Sequence, residues 1–441
     1  MEVIFGLQSA KHRSLPISSQ EMINCYAEQP IQNSRATVPI ISSYGITTHT
    51  NFENIVSTKV INNIFYVLTT TGLYQLTDSG YGQIASFNAA QGSIIEGDHV
   101  NILIASNGDL YKYSSGNINK IEDPDIPTVQ WIGWLDGYYI IIEKDSGRVF
   151  INETPYNADV WSPLDFATAE GNPDNLVWGI VDKRELVLFG NKSIEFWYNS
   201  GNSDFPLERS SNGFISEGIM SKNAACLAAN TIYFMSCDGV AYMMNGYSPQ
   251  RISTDPIEKQ IEGSSRYCRC FSWKEGGHTM VAFNLSNGCF VYDASTGLWH
   301  KRETNLRESW QVIGTEQYFG KWYAYCDSFG YFDGDAFTEY GDEMVSSCTS
   351  ATINQGKQKI PHDSLWLNFE TGNKGIITLQ WSDDGGRTWS HERQASFGDT
   401  GEYKKEVKFN RLGSSRDRVY RYSVSSPYRR NLLNAYLNEY L

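Results

Sequence analysis

The sequence predicts an all-β protein built around a β-propeller of six or seven blades, and three observations support this prediction. Apolar, aromatic-rich hairpins recur along the chain, recognisable helix is scarce, and the hairpins are evenly spaced. Turn-to-turn steps from Gly72 are 36, 39, 44, 48, 49 and 42 residues, close to the propeller repeat of about 40–50 residues. Six and seven blades both remain open, because one hairpin could belong to an insertion.

The clearest hairpin is Ile232–Met244, in which two apolar runs flank Asp238-Gly239. An Asp-Gly pair favours a type I′ turn, which requires positive φ at both central residues. The runs do not alternate with polar residues, so both faces of this sheet must be covered by neighbours. Six further stretches share this pattern: Phe65–Leu76, Ile102–Tyr113, Tyr138–Ile151, Leu186–Tyr198, Met280–Tyr292 and Trp322–Phe332.

The pattern divides the chain into three parts. Residues 1–50 are predicted as an extended arm, which packs on another domain or a neighbouring subunit, or closes the propeller by adding a strand to its last blade. Residues 51–345 form the propeller. Residues 346–441 form a β-sandwich, because strands such as Leu365–Phe369 and Val419–Val424 alternate and imply one solvated face.

Two polar stretches inside the propeller, Asn152–Pro173 and Asn199–Ser216, are predicted as long rim loops, where binding surfaces commonly lie. The best helix candidate places Asp255 at the N-cap, Pro256 at N1 and Glu258 in a capping box. No run is long and apolar enough for a membrane span, and the N-terminus does not resemble a secretory signal.

Charge is unevenly distributed. The chain carries −14 overall, yet 387–430 holds eleven Lys/Arg and five Asp/Glu, a net of +6 that leaves −20 on the remainder. An acidic body opposes non-specific DNA binding. The basic segment could meet an acidic partner or be an ordinary solvated face. Its candidate subunit or partner contacts are Arg411, Arg416, Arg418, Arg429 and Arg430.

The segment Ser382–Trp389 matches the Asp-box hairpin pattern S-x-D-x-G-x-T-W. This motif is structural, because the Asp accepts turn N–H groups while the Trp packs beneath the loop. Because the motif occurs once, in the predicted sandwich, we interpret it as a structural support of one hairpin. Its residues are Ser382, Asp384, Gly386, Thr388 and Trp389.

Nothing in the sequence nominates a catalytic, metal or cofactor site. A glycosidase needs two convergent carboxylates, and the candidates Asp333, Asp335, Glu339, Asp342 and Glu343 lie in a Gly-rich polar stretch better explained as a solvated loop. The eight cysteines and seven histidines lack metal-ligand spacing. Buried structural thiols are favoured over disulfides or metal ligands.

Several segments together resemble the packaged-DNA stabilisation, or tail-hub (nozzle), proteins of short-tailed bacteriophages. They are Asn24–Glu28 with Ser43–Ile46, Ser193–Tyr198 leading to Gly218-Ile219, Ser248–Ile261, Val291–Ser295 before Trp299, and the C-terminal stretches WSDDGGRTWS and FNRLGSSRDRVYRYSVSSP. The match covers most of the chain in the right order.

The resemblance implies a structural virion protein that is not an enzyme and is assembled in the host bacterial cytoplasm. Its implied partners are copies of itself in a cyclic ring, expected as a hexamer, the portal and adaptor, and tail fibres, spikes or a needle-like plug. Genomic DNA would pass through the lumen without sequence-specific binding. We expect the acidic body to line that channel and the basic segment to dock on a neighbour. The alternative is a carbohydrate-active or receptor-binding propeller, such as a sialidase-like glycosidase or an adhesin.

Overall fold

The structure is a computed structural model that describes residues 1–29, 36, 38–50, 52, 54–77, 80–169, 171, 173–356 and 358–438. Positions 51 and 439–441, which bound two predicted domains, lie outside the described residues. So do residues 170 and 172 of one predicted rim loop. Strands dominate the described chain, and its one helix is α1 (Asp255–Ile261).

The arm and the first five blades are listed here in chain order. The arm contains β1 (Met22–Ile23), β2 (Cys25–Ala27), β3 (Ile40–Ser42) and β4 (Gly45–Thr50). Five sheets of four consecutive strands follow: β5 (Ile55–Ile61), β6 (Ile64–Thr69), β7 (Gly72–Thr77), β8 (Gly80–Ser86); β9 (Ile94–Gly97), β10 (Ile102–Ser106), β11 (Asp109–Ser114), β12 (Asn117–Lys120); β13 (Val129–Leu135), β14 (Tyr138–Glu143), β15 (Arg148–Asn152), β16 (Trp161–Thr168); β17 (Leu176–Asp182), β18 (Glu185–Gly190), β19 (Ile194–Asn199), β20 (Leu207–Ile215); β21 (Ala225–Ala228), β22 (Thr231–Met235), β23 (Ala241–Asn245), β24 (Ser248–Arg251).

The last two blades and the C-terminal strands complete the fold. Blade six is β25 (Cys268–Glu275), β26 (His278–Leu285), β27 (Gly288–Asp293) and β28 (Leu298–Arg302); blade seven starts with β29 (Gly314–Tyr318), β30 (Lys321–Tyr325) and β31 (Phe329–Asp333). Then come β32 (Thr338–Glu339), β33 (Asp342–Glu343), β34 (Ser346–Thr349), β35 (Ile353–Asn354), β36 (Ile360–Pro361), β37 (Ser364–Phe369), β38 (Ile376–Ser382), β39 (Arg393–Ser396), β40 (Val407–Asn410), β41 (Ser414–Ser415), β42 (Asp417–Val424) and β43 (Leu432–Leu437).

The described blades form a closed ring of seven. The first strand of each blade contacts the first strand of the next, and β29 of blade seven returns to β5 of blade one. The second strands are buried on both faces, as in Tyr139–Ile142 of blade three. This arrangement confirms the propeller that the non-alternating hairpins predicted, and it fixes the blade number at seven.

The arm closes its own propeller. Strand β4 pairs antiparallel with β31 and supplies the fourth strand of blade seven, with Thr47 opposite Tyr331. At Gly45, the first residue of this strand, the backbone of another segment comes so close that a Cβ would lie 2.4 Å from the carbonyl oxygen of Thr338. The strand therefore joins the two ends of the ring within one chain.

The rest of the arm belongs to the C-terminal sandwich. One sheet has the order β1-β34-β42-β38-β39 and the other has the order β2-β3-β43-β37-β40. Their shared core contains arm residues such as Phe5, Met22 and Ile40 together with Leu365 and Tyr422. The arm thus contributes strands to both sheets and side chains to the core between them.

Strand β1 also joins the sandwich to the propeller. Ile23 pairs in parallel with Lys301 of β28 and antiparallel with Ser347 of β34. Blade six and one sandwich sheet are therefore one continuous ten-stranded sheet. The two domains share backbone hydrogen bonds rather than a flexible linker.

Three local predictions are corrected by the structure. The predicted rim loops Asn152–Pro173 and Asn199–Ser216 contain β16 and β20, the outermost strands of their blades. In the Asp238-Gly239 turn only Gly239 has positive φ, at 80°, and the connection between β22 and β23 is five residues long. Helix α1 has Thr254 at its N-cap, and Glu258 accepts instead from Arg251 and Ser253.

Candidate functional site

A cavity of about 720 Å³ lies where the first strands of the blades converge. Aromatic side chains in its wall include Trp131, Trp134 and Trp178. The Trp131 indole lies across two glycines, since a Cβ at Gly133 or Gly179 would stand 2.1 or 2.8 Å from its ring. We call this space the axial cavity. Its volume equals on the order of two dozen water molecules, so it is no passage for a DNA duplex.

Charged groups face one another in the axial cavity. Lys59 Nζ lies 2.9 Å from Glu96 Oε2, and the Coulombic attraction of Glu96 raises the pKa of Lys59. Burial raises the pKa of the nearby Glu316 to about 7, against the opposing effect of Lys59. The Lys59–Glu96 pair adds no net charge, Glu316 titrates near neutrality, and Arg269 contributes a cationic side chain to the lining.

A buried histidine fastens the arm to blade six. His278 lies between two carboxylates, with Nδ1 2.7 Å from Asp293 Oδ2 and Nε2 2.9 Å from Glu28 Oε2. The hydrogen bond to Asp293 and the contact with Glu28 raise the pKa of His278 to about 9 despite partial burial. Sequence reasoning missed this site, because Glu28 and His278 lie 250 residues apart.

The five candidate glycosidase carboxylates do not converge as a pair around a cleft. Glu339 is buried and accepts from Trp310 Nε1, Thr304 Oγ1 and Gln311 Nε2. Asp333 accepts from Thr47 Oγ1 at 3.0 Å. The others, Asp335, Asp342 and Glu343, are partly or fully exposed. Asp333 therefore holds the closing strand β4 through Thr47, whereas Glu339 supports the segment between blades six and seven.

The Asp-box residues form a closed hydrogen-bonded loop. Asp384 accepts from Ser382 Oγ at 2.6 Å, from Thr388 Oγ1 at 2.6 Å and from two backbone N–H groups. These bonds, that from Ser382 first, lower the pKa of Asp384 far below its ordinary range. A Cβ on Gly386 would lie 3.6 Å from the Trp389 ring and 3.0 Å from Ser19 of the arm. The arm therefore packs against one side of this loop, while Arg387 and Thr388 stay exposed on the other side.

Two of the five candidate contact arginines are not on the surface, which corrects the prediction for them. Arg418 is 2% exposed and forms a two-pronged ion pair with Asp383. Arg430 is 3% exposed and donates to the carbonyl oxygen of Ser426. Arg418 also donates to the carbonyl oxygen of Leu412, and the Arg430 guanidinium lies 5.9 Å from the ring centroid of Phe337, outside the sandwich. Arg411, Arg416 and Arg429 are exposed and stay as candidates.

The described residues contain no group of three or more His, Cys, Asp or Glu arranged to hold a metal ion. All eight cysteines, each within the described part of the chain, are free thiols. No helix of the described chain is long and apolar enough to cross a membrane.

Comparison with known protein families decides the relationship. The family model for the bacteriophage P22 Gp10 β-propeller matches residues 28–339. The model for the Gp10 β-sandwich matches residues 346–438. The chain belongs to the bacteriophage P22 Gp10 family. Gp10-family membership makes it a structural tail protein of a phage virion, and it confirms the propeller-plus-sandwich fold class.

Solved structures that are similar to this Gp10-family chain share little sequence identity with it. BamB from Moraxella catarrhalis is 10% identical, with 76% of this chain and 98% of that chain covered and a TM-score of 0.43. The Myceliophteria thermophila Cps50 (Swd1) β-propeller domain is 8% identical, with 65% and 99% covered and a TM-score of 0.42. The computationally designed Ika8 protein is 13% identical, with 71% and 99% covered and a TM-score of 0.42. No curated protein matches the chain.

Proposed function

We propose that this protein is a tail hub, which forms a ring below the portal and adaptor and extends the DNA channel. The observation that carries the proposal is the match of both domains to the Gp10 family. In this role the ring retains packaged DNA and anchors tail fibres, spikes or a plug. Assembly takes place in the host bacterial cytoplasm, and the protein acts without catalytic turnover.

The axial cavity favours a channel between subunits over one through a propeller. Its tryptophans and the Lys59–Glu96 pair occupy the centre of the seven blades. DNA must therefore pass outside each subunit, along an axis that several copies surround. A closed ring of identical chains needs a heterologous interface that closes by rotation, and we expect six copies.

Rigid internal connections suit a subunit that holds DNA under pressure. The arm closes blade seven through β4 and joins propeller to sandwich through β1. A single cooperative body transmits load from the adaptor to the fibres without a hinge.

The charge distribution suggests how the ring is oriented. The acidic body, which carries −20 outside 387–430, would line the lumen and repel the duplex, so that DNA slides rather than binds. The exposed Arg411, Arg416 and Arg429 would meet an acidic surface on a neighbour or on the adaptor. Arg429 already lies 3.4 Å from Glu370 and 3.7 Å from Asp335 on the surface, where ion pairs exchange readily.

The test is reconstitution of purified protein on portal–adaptor complexes, followed by electron microscopy. We expect a ring of this subunit on the channel axis. Arg411→Glu with Arg416→Glu should weaken ring attachment at least tenfold, whereas Arg266→Glu, at an exposed propeller position, should not. Failure to add density on the axis, or a ring whose lumen is basic, would refute the proposal. Turnover of glycosidic substrates would favour the enzyme alternative instead.

A further inference from the structure

Two cysteines face each other across the gap between blades five and six. Cys226 on β21 and Cys270 on β25 have their sulfur atoms 3.1 Å apart. Strands β21 and β25 are neighbouring first strands of the propeller ring. Both cysteines line the axial cavity, where Cys226 is partly exposed and Cys270 is buried. The pair is thus both close in space and accessible to a small solute.

We propose that Cys226 and Cys270 form an inter-blade disulfide when the particle leaves the reducing cytoplasm and meets a small-molecule disulfide. The change of compartment rests on the proposed virion function, while the chemistry of the pair does not. A disulfide has an S–S length of about 2.05 Å. The sulfurs therefore need to approach by about 1 Å, a movement that side-chain rotation can supply.

The reaction is two thiol–disulfide exchanges. Cys226 loses its proton to solvent, and its thiolate attacks a sulfur of the small disulfide, forming a mixed disulfide and releasing one thiolate. Cys270 then loses its proton and attacks Cys226 Sγ, which releases the second thiolate. The two protons and two thiolates leave as two small thiols, so the protein loses two electrons that reduce the small disulfide.

The environments of the two thiols set this order. Burial raises the pKa of the Cys270 thiol well above its ordinary value, with the neighbouring Cys226 adding to the effect. A raised thiol pKa slows attack on an external oxidant. The partly exposed Cys226 is therefore the entry point, and Cys270 is the resolving thiol held beside it.

A second cysteine pair provides an internal comparison. Cys25 and Cys348 are neighbours inside the sandwich, but they are only 2% and 0% exposed and do not line the axial cavity. Exchange requires access by the oxidant. This pair should therefore remain reduced under conditions that oxidise Cys226 and Cys270.

The experiment treats the folded, fully reduced full-length chain with hydroxyethyl disulfide and measures intact mass and peptide masses. We expect a linked peptide pair that contains Cys226 and Cys270 and is two hydrogen atoms lighter than the two reduced peptides, while the partly exposed Cys237 keeps any adduct it takes. The oxidised protein should also unfold at a temperature a few degrees higher. Cys270→Ser should stop at one mercaptoethanol adduct on Cys226, and Cys226→Ser should react at neither position.

Three outcomes would overturn the proposal. They are a protein that stays a dithiol in excess oxidant, a wild-type chain that keeps the adduct on Cys226, and oxidation of Cys25–Cys348 at the same rate. Far-ultraviolet circular dichroism of each variant checks that it has folded. The measurement uses isolated protein, so its result is independent of whether a ring forms on the portal–adaptor complex.

Discussion

At the residue scale, the buried His278 makes a pH-dependent contribution to stability. Its pKa is raised to about 9 from an ordinary value of about 6.5, so the folded state binds the proton more tightly than the unfolded state. The resulting stabilisation is fully present below about pH 6.5 and is lost as the pH rises through about 9.

His278→Gln should therefore lower the free energy of unfolding at pH 6 by about 1–3 kcal/mol, as expected for a charged hydrogen bond. The difference from wild type should shrink at pH 10, where wild-type His278 is neutral. Urea unfolding at the two pH values measures both quantities. His391→Gln, at an exposed position, is the control, and an equal difference at both pH values would contradict the ion-pair interpretation.

Gly133 tests whether the tryptophan wall of the axial cavity is tightly packed. A Cβ there would stand 2.1 Å from the Trp131 ring, and a rigid indole can move little. Gly133→Ala should destabilise the protein by about 1–3 kcal/mol, measured by chemical unfolding. Gly82→Ala is the matched control, because a Cβ at Gly82 meets nothing within 4 Å. If Trp131→Leu failed to relieve the cost in the double variant, the clash would not be its cause.

At the scale of elements, the sequence predicts the apolar hairpins better than the polar edge strands of the blades. The pattern that predicts the blades lies in their middle strands, which are buried on both faces and therefore have continuous apolar sequences. Strands β16 and β20 face solvent on the outer edge and are rich in polar residues, so their sequences resemble loops. Asn107 and Gly108 both have positive φ, at 52° and 88°, and form the tight turn that Asp238-Gly239 does not.

Among the candidate sites too, contacts between residues close in sequence are predictable and contacts between distant residues are not. The Asp-box bonds connect residues within four positions of each other, so its pattern is visible in the sequence. His278 with Glu28, and the buried state of Arg418 and Arg430, depend on strands brought together only by the tertiary fold. No spacing of nearby residues in the sequence predicts these contacts or this burial.

Phe5 is an aromatic anchor of the N-terminal segment before β1, which backbone hydrogen bonds from Val3 to Ala435 and from Ser9 to Trp299 also hold. Phe5 is 3% exposed and its ring centroid lies 5.1 Å from that of Tyr422 in the sandwich core. Phe5→Ala should cost about 3–5 kcal/mol of local packing, which should loosen this segment even though its backbone hydrogen bonds to the sandwich and to blade six remain. We expect faster tryptic cleavage after Lys11 and Arg13, followed by mass spectrometry. Leu7→Ala, at a position 50% exposed, should leave the cleavage rate unchanged, and equal rates in both variants would contradict the anchoring role.

At the scale of the whole molecule, Asn24 couples the two domains. Its Nδ2 donates to the carbonyl oxygens of Glu303 at 2.9 Å and Val345 at 2.8 Å, and its Oδ1 accepts from the Glu303 amide at 3.1 Å. It is also in the left-handed region, with φ of 53°. One side chain thus ties the end of blade six to the start of the sandwich, beside the β1 junction.

This arrangement predicts one thermal unfolding transition for the wild-type chain and two for Asn24→Gly. Glycine keeps the left-handed backbone but removes three hydrogen bonds, at a cost of about 1–3 kcal/mol for each buried group left unsatisfied. Differential scanning calorimetry should then resolve separate propeller and sandwich transitions. Asn54→Gly is the control, since Asn54 has the same φ of 53° with an exposed side chain. If Asn24→Gly only lowered a single transition, the coupling role of the Asn24 side chain would be contradicted, because the β1 backbone ladder and the Glu28–His278 contact would then suffice to join the two domains.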